Sequence, residues 1–246
     1  MSIHNPQFLN QGEAALVVEF GDSVDPIINA KVLFLEAALN SINLIGLEET
    51  TPSYRSLLIY YEPLVLKRTL LIEIIEEILA KLDNPPPLIS GRTWTIPCCY
   101  DLSLAEDLNE VAQILSLPEE DISSLHTQPK YRVYMYGFAP GWCYLGGLLQ
   151  DLSLPRRLTP RAPTPEGAVM IGGGLSLIAT HPMPTGWYVI GRTPERLFRL
   201  DRDPPFLLAP GDNILFEKIT LKTFYDLERC VKNGEIIAKM TDFNEG

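Results

Sequence analysis

Three arginines and one histidine have the chemistry needed to act on a small anionic substrate. Arg132 lies in a strand-like run, Arg161 follows a Thr-Pro turn, and Arg192 directly follows another strand-like run. A guanidinium offers paired donors that match carboxylate or phosphate oxygens. The alternative is that arginines of this kind hydrogen-bond to carbonyl groups and hold loops in place. His126, on a predicted helix, is the candidate general base, with a packing or capping role as its alternative. Arg192, His126 and Arg132 are therefore the candidate catalytic residues, and Arg161 is a candidate binding residue.

Residues 134–148 read YMYGFAPGWCYLGGL and alternate glycines with large aromatic side chains. Glycine lets a backbone approach a ligand closely, and aromatic side chains commonly form pocket walls. The alternative is a sharply turning loop whose aromatic side chains fill a barrel core. If the segment forms a cleft, the candidate binding residues are five of its members and two later positions. They are Gly137, Phe138, Gly141, Tyr144, Gly146, Gly173 and Trp187.

The charge of the chain is uneven. The formal net charge is −11, which argues against a general nucleic-acid binder. From Lys130 to Arg199, however, there are eight basic and three acidic residues, so this stretch carries +5 and the remainder −16. Such a cationic stretch suits a phosphate, a carboxylate or a nucleotide. The alternative is a solvated face with internal ion pairs.

Several familiar nucleotide and hydrolase motifs do not occur in the sequence. It has no P-loop, no dinucleotide glycine motif, no nucleophile elbow and no zincin helix motif. If the chain handles ATP, it does so without a P-loop, or a partner supplies that fold. The three histidines and four cysteines show no metal-ligand spacing, so we predict no metal site and reduced, mostly buried thiols.

No part of the sequence predicts a membrane protein. No apolar run approaches the roughly 20 residues that a spanning helix needs. The first 13 residues lack the basic-then-apolar layout of a secretion signal. We therefore predict a cytoplasmic protein that binds neither membranes nor nucleic acid.

A run of three prolines after Asn84 predicts a stiff linker, with a domain boundary near residues 84–92. The first domain, residues 1–90, shows a strand at 14–20, a helix opened by Asp25 and Pro26, strands at 47–51 and 56–61, and a helix at 66–82. This order predicts a ferredoxin-like α/β sandwich.

The second domain, residues 91–246, has a different pattern. A strand at 93–99 precedes helices at 104–115 and from residue 118 onward. Short β-prone runs then alternate with glycine and proline, at 131–136, 168–171, 175–180, 187–190 and 213–218. Such a series predicts an antiparallel sheet closing into a barrel, followed by a terminal helix or strand and a loose tail. The fold class of the whole chain is α+β.

Taken in order, the motifs resemble one known family. They are YRSLLIYYEP at 54–63, GFAPGWCYLGGL at 137–148, TPR at 159–161, IGG at 171–173, GWYVIGRTP at 186–194 and LAPGD at 208–212. The chain resembles the allophanate hydrolase subunit 1 family, also called the sporulation-kinase-inhibitor family and largely interpreted as the B subunit of 5-oxoprolinase. The resemblance implies a ferredoxin-like domain followed by a cyclophilin-like barrel.

The resemblance also implies a heteromeric enzyme. Together with a barrel-like partner, the C subunit, a protein of this family uses ATP, with Mg shared between the two chains, to activate the lactam oxygen of 5-oxoproline. The A subunit then completes ring opening to L-glutamate. Two alternatives stand beside this: an allophanate or urea-type amide substrate, and a non-enzymatic inhibitor of a sensor histidine kinase. Many relatives have Phe and Ala where this chain has Trp142 and Cys143.

Overall fold

The computed structural model describes residues 6–82 and 91–241 of the 246-residue chain. The chain divides into two compact units, residues 1–90 and 91–246. The predicted proline linker at 84–87 and the last residues of the predicted tail, 242–246, lie outside the described residues. Within residues 6–82 and 91–241, no helix is both long and apolar enough to cross a bilayer.

The first unit is an antiparallel sheet with two helices. The strands stand in the order β1-β2-β4-β3. The elements are β1 Gln7–Asn10, β2 Ala15–Glu19, α1 Pro26–Ser41, β3 Leu47–Pro52, β4 Ser56–Tyr61 and α2 Arg68–Leu79. Asp25 caps α1 as predicted, because its carboxylate accepts from Ile27 N at 2.7 Å. The edge strand β1 was not predicted, and the ferredoxin-like assignment of this unit stays a prediction.

The second unit is built around a closed barrel. Its strands are β5 Thr93–Cys99, β6 Tyr131–Tyr136, β7 Cys143–Gly146, β8 Arg161–Thr164, β9 Ala168–Gly172, β10 Leu175–Ile178, β11 Met183–Thr185, β12 Tyr188–Arg192, β13 Asn213–Ile219 and β14 Lys239–Thr241. Its α-helices are α3 Leu108–Leu115, α4 Glu119–Thr127 and α5 Leu221–Lys232. The ring runs β12-β9-β10-β7-β6-β13-β5 and closes where Arg192 pairs with Cys99.

The predicted barrel is confirmed, and it is consistent with a cyclophilin-like fold. One detail of the prediction was wrong: β5 and β13 pair in parallel, so the barrel is not wholly antiparallel. More than a hundred residues separate these two strands, and parallel pairing requires such a long crossover. The four cysteines are free, and Cys98, Cys99 and Cys143 are buried, as predicted.

Strand alternation gives the barrel an inner and an outer apolar face. Ile171 and Ile190 belong to the large inner core, together with Leu145. Met170 and Val189, their neighbours along the strands, belong to a separate cluster on the outer face. This outer cluster supports the candidate site.

Candidate functional site

A cavity of about 230 Å³ opens over the outer apolar cluster of the barrel. Its walls are aromatic and proline side chains, and its polar groups include one guanidinium and one threonine hydroxyl. The lining residues are Phe138, Trp142, Tyr144, Arg156, Pro160, Pro184, Thr185, Gly186 and Trp187. A concave, mostly apolar pocket with a few placed polar groups is typical of a small-molecule site.

Arg156 is the cation of the pocket. Its Cζ lies 4.7 Å from the ring centroid of Trp187, and this stacking holds an otherwise exposed guanidinium in place. Glycines make room for the stack, since a Cβ on Gly172 would lie 3.4 Å from the Trp187 ring and 3.5 Å from Arg156 Cγ. Gly173, predicted as a binding residue, lies beneath the same arginine.

Trp142 lines the pocket and also carries a buried hydrogen-bond donor. Its side chain is 1% exposed, and the indole Nε1 makes no hydrogen bond to any of the residues that the structure describes. Leaving a buried N–H without an acceptor costs about 1–3 kcal/mol.

Phe138 stands at the rim in a strained conformation. Its φ is +71°, a left-handed value that costs a residue with a Cβ about 1–2 kcal/mol. The side chain is 69% exposed and meets Trp142 edge-to-face at 5.3 Å between ring centroids. The loop is closed by Gly137 N donating to Trp142 O at 3.1 Å. Strain of this kind concentrates at functional sites, because only the surrounding structure sustains it.

The predicted arginines lie elsewhere. Arg192 Nη2 pairs with Glu106 at 2.5 Å, and Arg161 Nη1 pairs with Asp107. Arg132 Nη1 approaches the carbonyl of Gly211 at 3.5 Å. None of the three lines the pocket. The cationic stretch is thus partly neutralised by acids just before α3, outside the stretch itself, so internal ion pairing accounts for much of its charge.

His126 lies inside the barrel and does not reach the pocket. Its Nδ1 is 2.7 Å from Tyr100 Oη, and its Nε2 is 3.1 Å from Ser176 Oγ. Ser176 donates its own proton to Met170 O at 3.0 Å, so Nε2 must be the donor and Nδ1 must accept from Tyr100. Burial lowers the pKa of His126 to about 3, which keeps the ring neutral.

The structure brings together three of the predicted binding residues at the pocket: Phe138, Tyr144 and Trp187. Gly137 and Gly141 shape the adjoining loop. Gly146 serves packing instead, since a Cβ there would lie 2.1 Å from Cε2 of the Tyr134 ring.

The sequence analysis did not predict six of the pocket residues, namely Trp142, Arg156, Pro160, Pro184, Thr185 and Gly186. Arg156 and Trp142 lie in the basic and aromatic segments that were noticed, and the Arg156-Arg157 doublet was the available signal for the first. Among the described residues that line the pocket there is no carboxylate. In the described part of the chain, no three His, Cys, Asp or Glu side chains are grouped to hold a metal.

The family model for the carboxyltransferase domain, subdomain C and D, matches residues 6–208. The B subunit of 5-oxoprolinase from Bacillus subtilis is 33% identical over 224 residues, which cover 87% of this chain and 93% of that protein. The Haemophilus influenzae protein of the same name is 39% identical over 146 residues, covering 59% of this chain and 68% of that protein.

Solved structures also resemble this chain. TTHA0988 superposes with a TM-score of 0.74 at 34% identity, covering 83% of this chain and 40% of that one. This chain therefore spans about two fifths of that protein. Kluyveromyces lactis urea carboxylase has a TM-score of 0.76 at 18% identity, over 96% of this chain and 24% of that one, which shows the shared fold. The chain belongs to the carboxyltransferase subdomain C and D family, alongside the proteins named as the B subunit of 5-oxoprolinase.

Proposed function

We propose that this chain is the B subunit of an ATP-dependent 5-oxoprolinase, which opens the lactam ring of 5-oxoproline to give L-glutamate. The observation that carries the proposal is the aromatic pocket with a single arginine at Trp187. 5-Oxoproline is a small flat ring bearing one carboxylate. Arg156 matches the carboxylate, and the aromatic walls match the ring. Likeness to the B. subtilis protein supports the same substrate.

Ring opening requires that water add to the lactam carbonyl carbon, which places negative charge on the lactam oxygen before the C–N bond breaks. Hydrogen-bond donors directed at that oxygen stabilise the charge that develops on it. Trp142 lines the pocket, and its buried Nε1 has no acceptor among the described residues. We propose that it donates to an oxygen of the substrate, while Arg156 holds the carboxylate.

ATP does not fit this pocket by itself. A magnesium triphosphate requires several cations for its phosphates and oxygen ligands for the metal. The described lining residues supply one guanidinium and no carboxylate. We therefore propose that ATP and Mg bind with groups from the C subunit, and that the A subunit finishes ring opening. We also propose that the complex works in the cytoplasm.

The catalytic roles of Arg192, Arg161 and Arg132 stay predictions. To bind phosphate, Arg192 and Arg161 would have to leave Glu106 and Asp107. His126 is buried as a neutral ring inside the barrel, and we do not carry its acid–base role into the proposal.

The test is ATP hydrolysis by this chain purified with its two partners, the C and A proteins of the complex, with and without 5-oxoproline. We expect hydrolysis that depends on 5-oxoproline and releases glutamate. Arg156→Ala should raise KM for 5-oxoproline about tenfold or more, because a hydrogen bond to a charged group contributes about 1.5–3 kcal/mol. Arg229→Ala is the matched control, since Arg229 lies 76% exposed on α5.

Other results would point to the alternatives. Hydrolysis that depends on urea or allophanate and not on 5-oxoproline would make this an amide hydrolase of the urea type. A chain that forms no complex with these two partners, yet inhibits a sensor histidine kinase, would overturn the enzymatic proposal. An unchanged KM in Arg156→Ala would remove the assigned carboxylate site.

A further inference from the structure

Asp107 occupies a position where an aspartate usually caps a helix. It immediately precedes α3, yet its carboxylate makes no capping hydrogen bond to that helix. The residue is 8% exposed. Burying a carboxylate is costly unless donors surround it, so its partners show what the side chain does.

Those partners lie next to pocket residues on two separate segments of the chain. Asp107 Oδ2 accepts from Val189 N at 2.7 Å, and Oδ1 accepts from Arg157 Nη2 at 3.0 Å. Val189 lies two residues after Trp187, and Arg157 directly follows Arg156. One carboxylate therefore joins the strand that follows Trp187 to the loop that carries Arg156.

The loop that carries Arg156 and ends at Arg161 is held at both of its ends. Arg161, at the far end, donates Nη1 to the same carboxylate. At the near end, Arg157 Cζ lies 4.3 Å from the ring centroid of Tyr188, while Arg156 Cζ lies 4.7 Å from that of Trp187. Two consecutive arginines thus stack on two consecutive aromatic residues. Because Arg157 directly follows Arg156, anchoring Arg157 also restricts the position of Arg156.

We propose that Asp107 is a positioning residue for this pocket. By anchoring Arg157 and Arg161 to β12, the strand that follows Trp187, it holds the Arg156 guanidinium ready for a small carboxylate. A preformed cation binds more tightly, because less side-chain freedom is lost on binding. The identity of that carboxylate as 5-oxoproline rests on the proposed function.

The substitution Asp107→Asn tests the proposal in the complete complex. Asparagine keeps the size and an oxygen for Val189 N, but it loses the charge that holds the arginines. We expect KM for 5-oxoproline to rise about tenfold while kcat stays within about twofold, as for a misplaced binding group.

Asp212→Asn is the matched control. Asp212 is also buried, at 3% exposed, and its carboxylate pairs with Arg92 at 2.8 Å. The carboxylate also accepts from Trp94 and Ala209, and none of these three partners of Asp212 lines the pocket. This variant should lose stability without a change in KM. An equal rise of KM in both variants would reduce Asp107 to an ordinary structural residue.

A double-mutant cycle shows whether Asp107 acts through Arg156. In the Arg156→Ala background, Asp107→Asn should add no further rise in KM, because the group it positions is gone. A rise of the same size in both backgrounds would overturn the proposal.

A geometric measurement separates this proposal from the proposed function. The Nε–Hε NMR resonance of Arg156 in the full chain should be displaced by the Trp187 ring current, and Asp107→Asn should move it toward that of an unstructured arginine. An unchanged resonance would overturn the positioning role. A wild-type complex without 5-oxoproline turnover would overturn only the proposed function. Should Asp107→Asn not fold, Arg157→Gln, at a side chain 20% exposed, removes the same link and should shift the resonance likewise.

Discussion

Arg156 and Arg157 are neighbours in the chain with opposite surroundings. Arg156 lies on Trp187 at the pocket, whereas Arg157 lies on Tyr188 and pairs with Asp107 and Glu110. The first is available to a ligand, and the second is already neutralised. A single position along the chain thus decides whether an arginine faces the pocket or supports the fold.

His126 illustrates how a titratable group can stabilise a core. Its folded pKa of about 3 lies below the value near 6.5 expected for an unfolded chain, so only the unfolded state takes up a proton between these values. The stabilisation is therefore complete above about pH 6.5 and is lost progressively as the pH falls toward 3.

We predict that protonation of His126 in the unfolded state lowers the free energy of unfolding of the second unit by about 2 kcal/mol when the pH falls from 7.5 to 5. His126→Gln should be less stable at pH 7.5 but should lack that part of the pH dependence. Urea unfolding of the wild type and the variant at both pH values gives the change in unfolding free energy with pH for each protein. Subtracting one change from the other cancels the contributions of the other titrating groups. Parallel pH dependences would contradict the buried, neutral assignment.

At the scale of elements, β7 shows how a glycine-rich segment forms a strand. Residues 134–148 were predicted to form a cleft, with a sharply turning core loop as the alternative, and within them Cys143–Gly146 is a barrel strand between β6 and β10. Gly146 is required there because the Tyr134 ring occupies the space of its missing Cβ.

We predict that Gly146→Ala destabilises the second unit by about 2–3 kcal/mol through overpacking. Gly174→Ala is the control: its φ of +76° makes alanine strained, but the nearest atom, Ser153 Oγ, is 3.8 Å away. The control should cost only about 1–2 kcal/mol, the penalty of a left-handed alanine. Guanidinium unfolding gives both values. A smaller loss in Gly146→Ala than in the control would show that Tyr134 moves aside freely.

At the scale of the whole molecule, each unit has a core of its own. The apolar cluster of the first unit draws on residues between Phe8 and Leu79. The three clusters of the second unit draw on residues between Trp94 and Ala238. A compact unit with its own core is expected to fold independently.

We predict that a fragment of residues 91–246 folds by itself and keeps the pocket. Its thermal unfolding should be cooperative, and 5-oxoproline should change the tryptophan fluorescence of the fragment by the same amount that we expect for the full chain. The Arg156→Ala fragment serves as the binding control. A fragment that melts without cooperativity would show that the second unit depends on the first.

Much of this protein was determined by local sequence. The cap of α1 by Asp25, the bounds of β5 and β6, the barrel and the family all follow from residue pattern and motif. These features depend on neighbours along the chain or on runs long enough to show their period. The strands β8 and β11 were not predicted, because they have only four and three residues and each contains a proline, which leaves no period to be read.

The assignment of the arginines was decided only by the tertiary structure. Arg192 and Arg161 matched the chemistry of an anion site, but Glu106 and Asp107, from a distant part of the chain, neutralise them. Arg156 pairs with no acid among the residues described at 6–82 and 91–241, and lies instead on Trp187. Residue type fixes what a side chain can bind. Which partner it meets depends on chain crossings that bring residues 50 to 90 positions apart within hydrogen-bond distance.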